Sequence, residues 1–185
     1  PILKGVYHAP DGSLAVTDSH RLYFAKNAHS NVEPQTIDPK TGAVIDGNYP
    51  EVSRLIPESS SAKYTVRLDV KQAIDAFKAL LAVNKLDTDA MHPMTTVGIT
   101  DDGTVAFVAE NHVLSARYEP AAAADGEGEE MTFNTRYFAD ALALFKDVGA
   151  TEVTMRYYGS LRPFTLTAGE DDELLALLLP IRKIQ

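Results

Sequence analysis

The chain has 185 residues, a hydrophobic fraction of 45% and a formal charge of -9, which fits one substantial folded core with a smaller partner layer and leaves no room for two independent domains of ordinary size. The absence of cysteine excludes a disulfide framework, a thiolate metal site and a cysteine nucleophile. The negative balance repels nucleic acid, anionic lipid and anionic substrates on average, while still permitting a local basic strip.

The first unit in chain order is Leu3 to Phe24. Leu3–Tyr7 reads as a short strand, Pro10-Asp11-Gly12 as a turn, and Ser13–Thr17 with Leu22-Tyr23-Phe24 as two further strands around a tight bend. Residues 27–48 are rich in Asn, Pro, Asp and Gly and read as loop, with one strand candidate at Ala43-Val44-Ile45. The segment Tyr49–Pro57 is bounded by prolines, which allows one or two helical turns between them. Glu58–Lys63 is small and polar, as a linker is.

From Tyr64 the pattern tightens. Tyr64, Val66 and Leu68 alternate with Thr65 and Arg67, as a strand with one buried face does, and Asp69 then stands ready to cap a helix. Val70, Ile74, Phe77 and Leu81 form an apolar stripe on that helix, with Lys71, Asp75, Lys78 and Lys85 on the other face. Three antiparallel strand candidates follow, at Thr96–Ile99, Val105–Ala109 and Val113–Tyr118. A second cycle starts with a strand at Glu130–Phe133, a cap at Asn134 and a helix with Phe138, Ala141, Leu142 and Phe145 inward, and ends with strands at Thr151–Tyr157, Phe164–Ala168 and Glu173–Leu179. Residues 64–185 thus repeat a strand-helix-three-strand unit, and two such units can pool their sheets beneath two adjacent helices in an α+β fold. Residues 1–24 look like the three-strand tail of another such unit.

Charge is unevenly spread: five basic against seven acidic residues over 1–62, and twelve against nineteen beyond. Much of the excess lies in Asp125-Gly126-Glu127-Gly128-Glu129-Glu130, which reads as a solvated loop. No run approaches the roughly eighteen apolar residues of a membrane span, and the start lacks the layout of a secretory leader, so a cytoplasmic protein without membrane contact is expected.

No catalytic set assembles. His8, His20, His29, His92 and His112 lack zinc-site spacing. Asp101-Asp102 and Asp171-Asp172 sit beside glycines at turns, where Asp is favoured for backbone reasons. Ser19, His20 and Asp18 are adjacent, so their side chains diverge instead of lining up for a proton relay. Phosphate-loop and dinucleotide fingerprints are missing. Neither a metal nor a cofactor is expected. Lys71, Lys78, Lys85, Arg136 and Lys146 suit either sequence-blind phosphate contact or an ordinary solvated helix face.

Four segments carry a family resemblance. Ala15-Val16-Thr17-Asp18-Ser19-His20-Arg21-Leu22 resembles the strand-turn signature in the middle domain of the bacterial DNA polymerase III beta subunit, the sliding clamp. Ser19 replaces the usual Gly, a departure that bears on the turn, since Ser is tolerated there only if the backbone does not need a left-handed conformation. Tyr49–Pro57 is similar to the linker into the clamp's last domain, Met131–Leu142 to a helix start within that domain, and Leu177–Arg182 to its terminal segment. The resemblance implies a DNA-clamp-like fold, with residues 1–62 a partial middle-domain-like segment and linker and 63–185 a complete clamp-like domain. It also implies a noncatalytic protein that takes clamp-binding peptides of DNA polymerase, clamp loader or repair proteins into a hydrophobic cleft. By motif position that cleft is lined by Thr17, His20, Arg21 and Leu22, by Pro50, Arg54 and Leu55, and by Leu177, Leu179, Pro180, Ile181 and Arg182. The same residues also suit a plain weld between the first segment and the last. The alternative is an oligomeric, DNA-encircling processivity clamp, a homo-oligomer with Lys71, Lys78, Lys85, Arg136 and Lys146 facing nonspecific double-stranded DNA.

Overall fold

The computed structural model describes residues 2–86, 92–100 and 102–182. Four short strands come first: β1 (Val6–His8), β2 (Leu14–Thr17), β3 (Arg21–Ala25) and β4 (Gln35–Ile37). The first repeat unit is β5 (Tyr64–Asp69), α1 (Val70–Lys85), β6 (Met94–Ile99), β7 (Val105–Glu110) and β8 (Ser115–Tyr118). After the two-residue β9 (Asp125–Gly126) the second unit follows as β10 (Met131–Asn134), α2 (Thr135–Asp147), β11 (Glu152–Tyr157), β12 (Phe164–Ala168) and β13 (Leu174–Leu178).

The two units exchange their leading strands. β5 pairs with β11 of the second unit, and β10 pairs with β6 of the first, both antiparallel. The result is a four-stranded sheet, β10-β6-β7-β8, and a nine-stranded sheet, β4-β1-β2-β3-β13-β12-β11-β5-β9. Both helices begin where their sequences say they should. The Asp69 carboxylate accepts the Gln72 amide at 2.8 Å and the Asn134 side chain accepts the Arg136 amide at 2.9 Å, satisfying first-turn donors that the helix itself leaves unpaired. On α2 the buried residues include the expected Phe138, Ala141, Leu142 and Phe145. On α1 they are Val70, Ala73, Phe77, Leu80 and Val83, so the stripe is rotated from the expected one, with Ile74 and Leu81 at its half-buried margin. The rotation follows from packing: Phe77 stacks on Phe138 of α2 with ring centroids 4.2 Å apart, which turns α1 toward its neighbour as well as toward the sheets. Phe107, Phe133 and Phe164 complete an aromatic centre drawn from both sheets and both helices.

The opening segment repeats part of this plan. β4-β1-β2-β3 has the same strand order and antiparallel pairing as β10-β6-β7-β8. β4 lies at Gln35–Ile37 within the stretch expected to be loop, and the expected strand at Ala43-Val44-Ile45 contributes only one bridge, Val44 to Ile37. Asp38 explains the hairpin, since its side chain accepts the Lys40 amide at 2.8 Å and its carbonyl accepts the Gly42 amide at 2.8 Å.

The acidic run also differs from a free solvated loop. Its carboxylates are exposed, but β9 hydrogen-bonds along β5 and Gly128 lies on the stacked Tyr64 and Tyr157 rings. A Cβ on Gly128 would stand 2.6 Å from Tyr157 and 2.8 Å from Tyr64. Gly128→Ala is therefore expected to destabilise the protein by roughly 1–3 kcal/mol through overpacking, measured as a lower midpoint in thermal or denaturant unfolding.

Candidate functional site

β3 and β13 bring the first and last segments together. Leu22 pairs with Leu177, Phe24 with Leu175 and Arg21 with Leu178. Since alternate residues point to opposite sides of a sheet, Leu22 and Leu177 share the face turned away from the helices. There they join Ala15 and Leu175 in a small second core, and Val52 from the linker closes over it. Tyr49 helps to hold the linker down, accepting the Thr17 amide with its hydroxyl at 3.0 Å and stacking on Tyr7.

This packing divides the twelve residues expected to line the cleft. Leu22 and Leu177 are a covered floor, 1% and 3% exposed. Leu55 and Leu179 stand open at 57% and 37%. His20, Pro50, Arg54 and Arg182 are exposed too, and Thr17 is half-buried, its hydroxyl donating to the Arg21 carbonyl at 2.7 Å. Arg54 and Leu55 lie on a 3₁₀ turn, Ser53–Leu55, between the two prolines. The last segment leaves the ladder at Leu179, whose amide donates to the His20 carbonyl at 3.1 Å. It then crosses to the other sheet: Pro180 bridges to Phe133 and the Ile181 amide donates to the Thr132 carbonyl at 2.7 Å.

Arg21 takes the opposite side of the sheet from Leu22. Its Nε donates to Asp18 at 2.9 Å, its Nη1 donates to Asp140 of α2 at 2.6 Å, and the guanidinium carbon lies 4.5 Å from the Tyr137 ring centre. Burial of Asp18 disfavours its charge, but the amides of His20 and Arg21 and the Arg21 guanidinium outweigh that and hold its carboxyl below the usual range. Val52, Tyr137 and Asp140 belong to this junction; they fall inside the matched segments Tyr49–Pro57 and Met131–Leu142 but outside the set expected to line the cleft. Val52 is one of three apolar residues between the two prolines, and although the matched helix start carries Tyr137 and Asp140, nothing local in the sequence joins Asp140 to Arg21, 119 residues away.

The turn decides what the departure from Gly costs. Ser19 adopts φ 75°, inside the left-handed region, so Ser occupies a position whose backbone favours Gly. Left-handed backbone costs a non-glycine residue roughly 1–2 kcal/mol, and glycine's unfolded-state entropy takes back about half. Ser19→Gly is expected to raise stability by about 0.5–1 kcal/mol and the thermal midpoint by about 1–4 °C, read by calorimetry.

The five basic candidates are all exposed on the helix pair. Lys71, Lys78 and Lys146 border one depression of about 440 Å³ with Asp69, Asp75 and Ile74. Lys85 and Arg136 lie at the other end, where Asn84 accepts the Thr135 hydroxyl at 2.7 Å. Lys78 is paired with Asp75 at 2.8 Å.

Among the described residues no three His, Asp or Glu side chains are grouped to hold a metal. Asp101 lies outside the described residues. The hydroxyl of Thr100 and the amide of Thr104 bind Asp102 and hold its carboxyl down to about 2. Asp172 pairs with Arg156 at 3.1 Å, and the Asp171 carbonyl accepts Lys26. The Asp18 carboxylate is engaged by Arg21 and by the His20 and Arg21 amides, and the His20 ring nitrogen Nδ1 meets the Asp18 carbonyl, so no relay to Ser19 forms.

Comparison with known proteins agrees with this architecture. The family model for the DNA polymerase III beta subunit, C-terminal domain, matches residues 53–182. The beta sliding clamps of Staphylococcus epidermidis and Staphylococcus aureus are each 28% identical over 141 residues, covering 75% of this chain and 35% of the relative. Among solved structures, the DNA polymerase III beta chain of Streptococcus pneumoniae superimposes with a TM-score of 0.85 at 22% identity, over 99% of this chain and 58% of that one. The DNA polymerase sliding clamp of Bacillus subtilis gives 0.82 at 20%, over 100% and 58%. The chain therefore spans about a third of the length of these curated relatives and under two thirds of the solved chains. Strand exchange, paired helices and a family match across most of its length establish that the chain belongs to the DNA polymerase III beta subunit family, whose C-terminal domain it carries.

Proposed function

We propose that this chain serves as part of a noncatalytic processivity clamp and docks short peptides of replication or repair proteins at the β3–β13 junction. Residues 63–185 act as a complete clamp-like domain, and residues 1–62 as a partial middle-domain-like segment and linker that supplies one wall of the groove. The observation that carries the reading is that Leu55 and Leu179 stand open in the same two segments, linker and tail, that supply Val52 and Leu177 to the dry second core. An aliphatic or aromatic side chain docked there covers the open leucines, with the exposed His20, Arg54 and Arg182 available as polar partners. A peptide burying about 200–300 Å² there gains roughly 5–8 kcal/mol at ~25 cal/mol per Å². Ordering costs of several kcal/mol leave an affinity in the micromolar range.

The test is a titration with a peptide of Gln followed by aliphatic and aromatic residues. Leu55→Asp and Leu179→Asp should each weaken binding more than about tenfold, ~1.4 kcal/mol, while stability stays within about 0.5 kcal/mol for the more exposed Leu55. Leu22 is unsuitable for this purpose because a charge there enters the second core. Unchanged affinity in both variants rejects the groove.

The clustering of Lys71, Lys78 and Lys146, with Lys85 and Arg136 at the far end of the same helix pair, supports a second element of the reading: the helix face lies along double-stranded DNA inside a closed oligomer. Retention on closed circular DNA should fall as salt rises and vanish on linearisation. A monomer without such retention counts against encirclement and leaves the peptide groove standing.

A further inference from the structure

We infer that Arg21, placed by motif position among the residues a docked peptide touches, is a positioning residue that pins the β2–β3 turn to α2 and so fixes the rim of the groove. The inference rests on the peptide-docking reading for its consequence and on geometry for its mechanism. Strand alternation sends Arg21 to the helix side while Leu22 faces the groove. Two ends of its guanidinium are engaged: Nε on Asp18 at 2.9 Å and Nη1 on Asp140 at 2.6 Å. Its flat face lies over Tyr137 at 4.5 Å. A peptide carboxylate at Nη1 would first have to displace Asp140.

From that pin a continuous set of short contacts leads to the rim. Asp18 accepts the His20 and Arg21 amides, each at 3.0 Å, which shapes the turn around the left-handed Ser19. The His20 carbonyl then accepts the Leu179 amide at 3.1 Å, just beyond the last β3–β13 pair. Asp140 thus reaches Leu179 through Arg21, Asp18 and His20, although Asp140 is on a helix and Leu179 is at the groove. The turn carries its own strain at Ser19 and depends on outside support, so losing the Asp140 carboxylate should loosen His20 and Leu179 together and spare the ladder behind them.

Two measurements on the full chain test this. By amide hydrogen exchange, Asp140→Ala should speed exchange of the Leu179 amide about tenfold, equivalent to ~1.4 kcal/mol, with the β3–β13 ladder unchanged; Asp140→Glu should restore protection. With the Gln-aliphatic-aromatic peptide, Arg21→Ala and Asp140→Ala should each weaken binding severalfold, and the double variant no more than either alone. Additive losses identify Arg21 as a direct peptide ligand and overturn the inference. Unaltered Leu179 exchange in Asp140→Ala overturns it as well, whatever the peptide does. If wild type fails to bind the peptide while Leu179 exchange responds as expected, the pin stands and the docking reading falls.

Discussion

The pairing of β3 with β13 is the constraint on which the rest depends. It joins residues 21–25 to residues 174–178, so its closure entropy must be offset by what it buries. It does so on both faces. On one side Leu22, Leu175 and Leu177 gather beneath Val52; on the other Tyr23 and Leu174 pack against the main core and Arg21 reaches α2. Without β13, β3 would be an edge strand apolar on one side and carrying Arg21 away from its partners. The actual edges of the long sheet, β4 and β9, are only three and two residues long, a form that discourages pairing with other chains.

The exchange of leading strands makes residues 64–182 hard to divide. β5 cannot leave without exposing β11, nor β10 without exposing β6, and the Phe77–Phe138 stack ties the helices that follow them. The second core is smaller, and two of its five buried residues, Leu175 and Leu177, come from β13. The opening segment therefore borrows its stability from the larger unit. The docking site proposed at their junction therefore has a firm side, β13, and a dependent one, the β2–β3 turn with its linker.

What the sequence disclosed and what it hid follow the range of the interactions. Asp69 and Asn134 act on amides within three residues, and the period of α2 reports a single buried arc, so both helices could be read locally. The alternation of Tyr64, Val66 and Leu68 likewise reports one buried face. The α1 stripe came out rotated because a second helix, distant in sequence, shares its burial. β4 escaped notice because its pairing partner β1 and its Asp38 hairpin outweigh a composition typical of loops. At the groove, motif position located the segments but not the directions of the side chains. Leu22 and Leu177 became floor because Val52 covers them, and Arg21 turned away because strand parity required it. The missing glycine at Ser19 signals a cost at the turn, but only the backbone angle fixes it.

Charge placement completes the picture. A chain of net charge -9 that offers a basic helix face needs its acidic excess kept apart from that face. The acidic run, Asp125–Glu130, is fastened down instead of loose. Gly126 and Gly128 leave no space for side chains against Lys63, Tyr64 and Tyr157, so Asp125 and Glu127 are held exposed beside the start of β5, while Glu129 accepts the Ser160 hydroxyl and Glu130 lies against Gly98. β9 pairs with Tyr64 and Thr65 at the start of β5, whereas α1 begins after Asp69 at its other end. Five residues of extended chain separate the two, roughly 16 Å at ~3.3 Å per residue. The paired end of the acidic run is thus held at the far end of β5 from the start of α1 and the positive charge of Lys71. A freely moving acidic loop of the same composition could fold over the helices and cancel it.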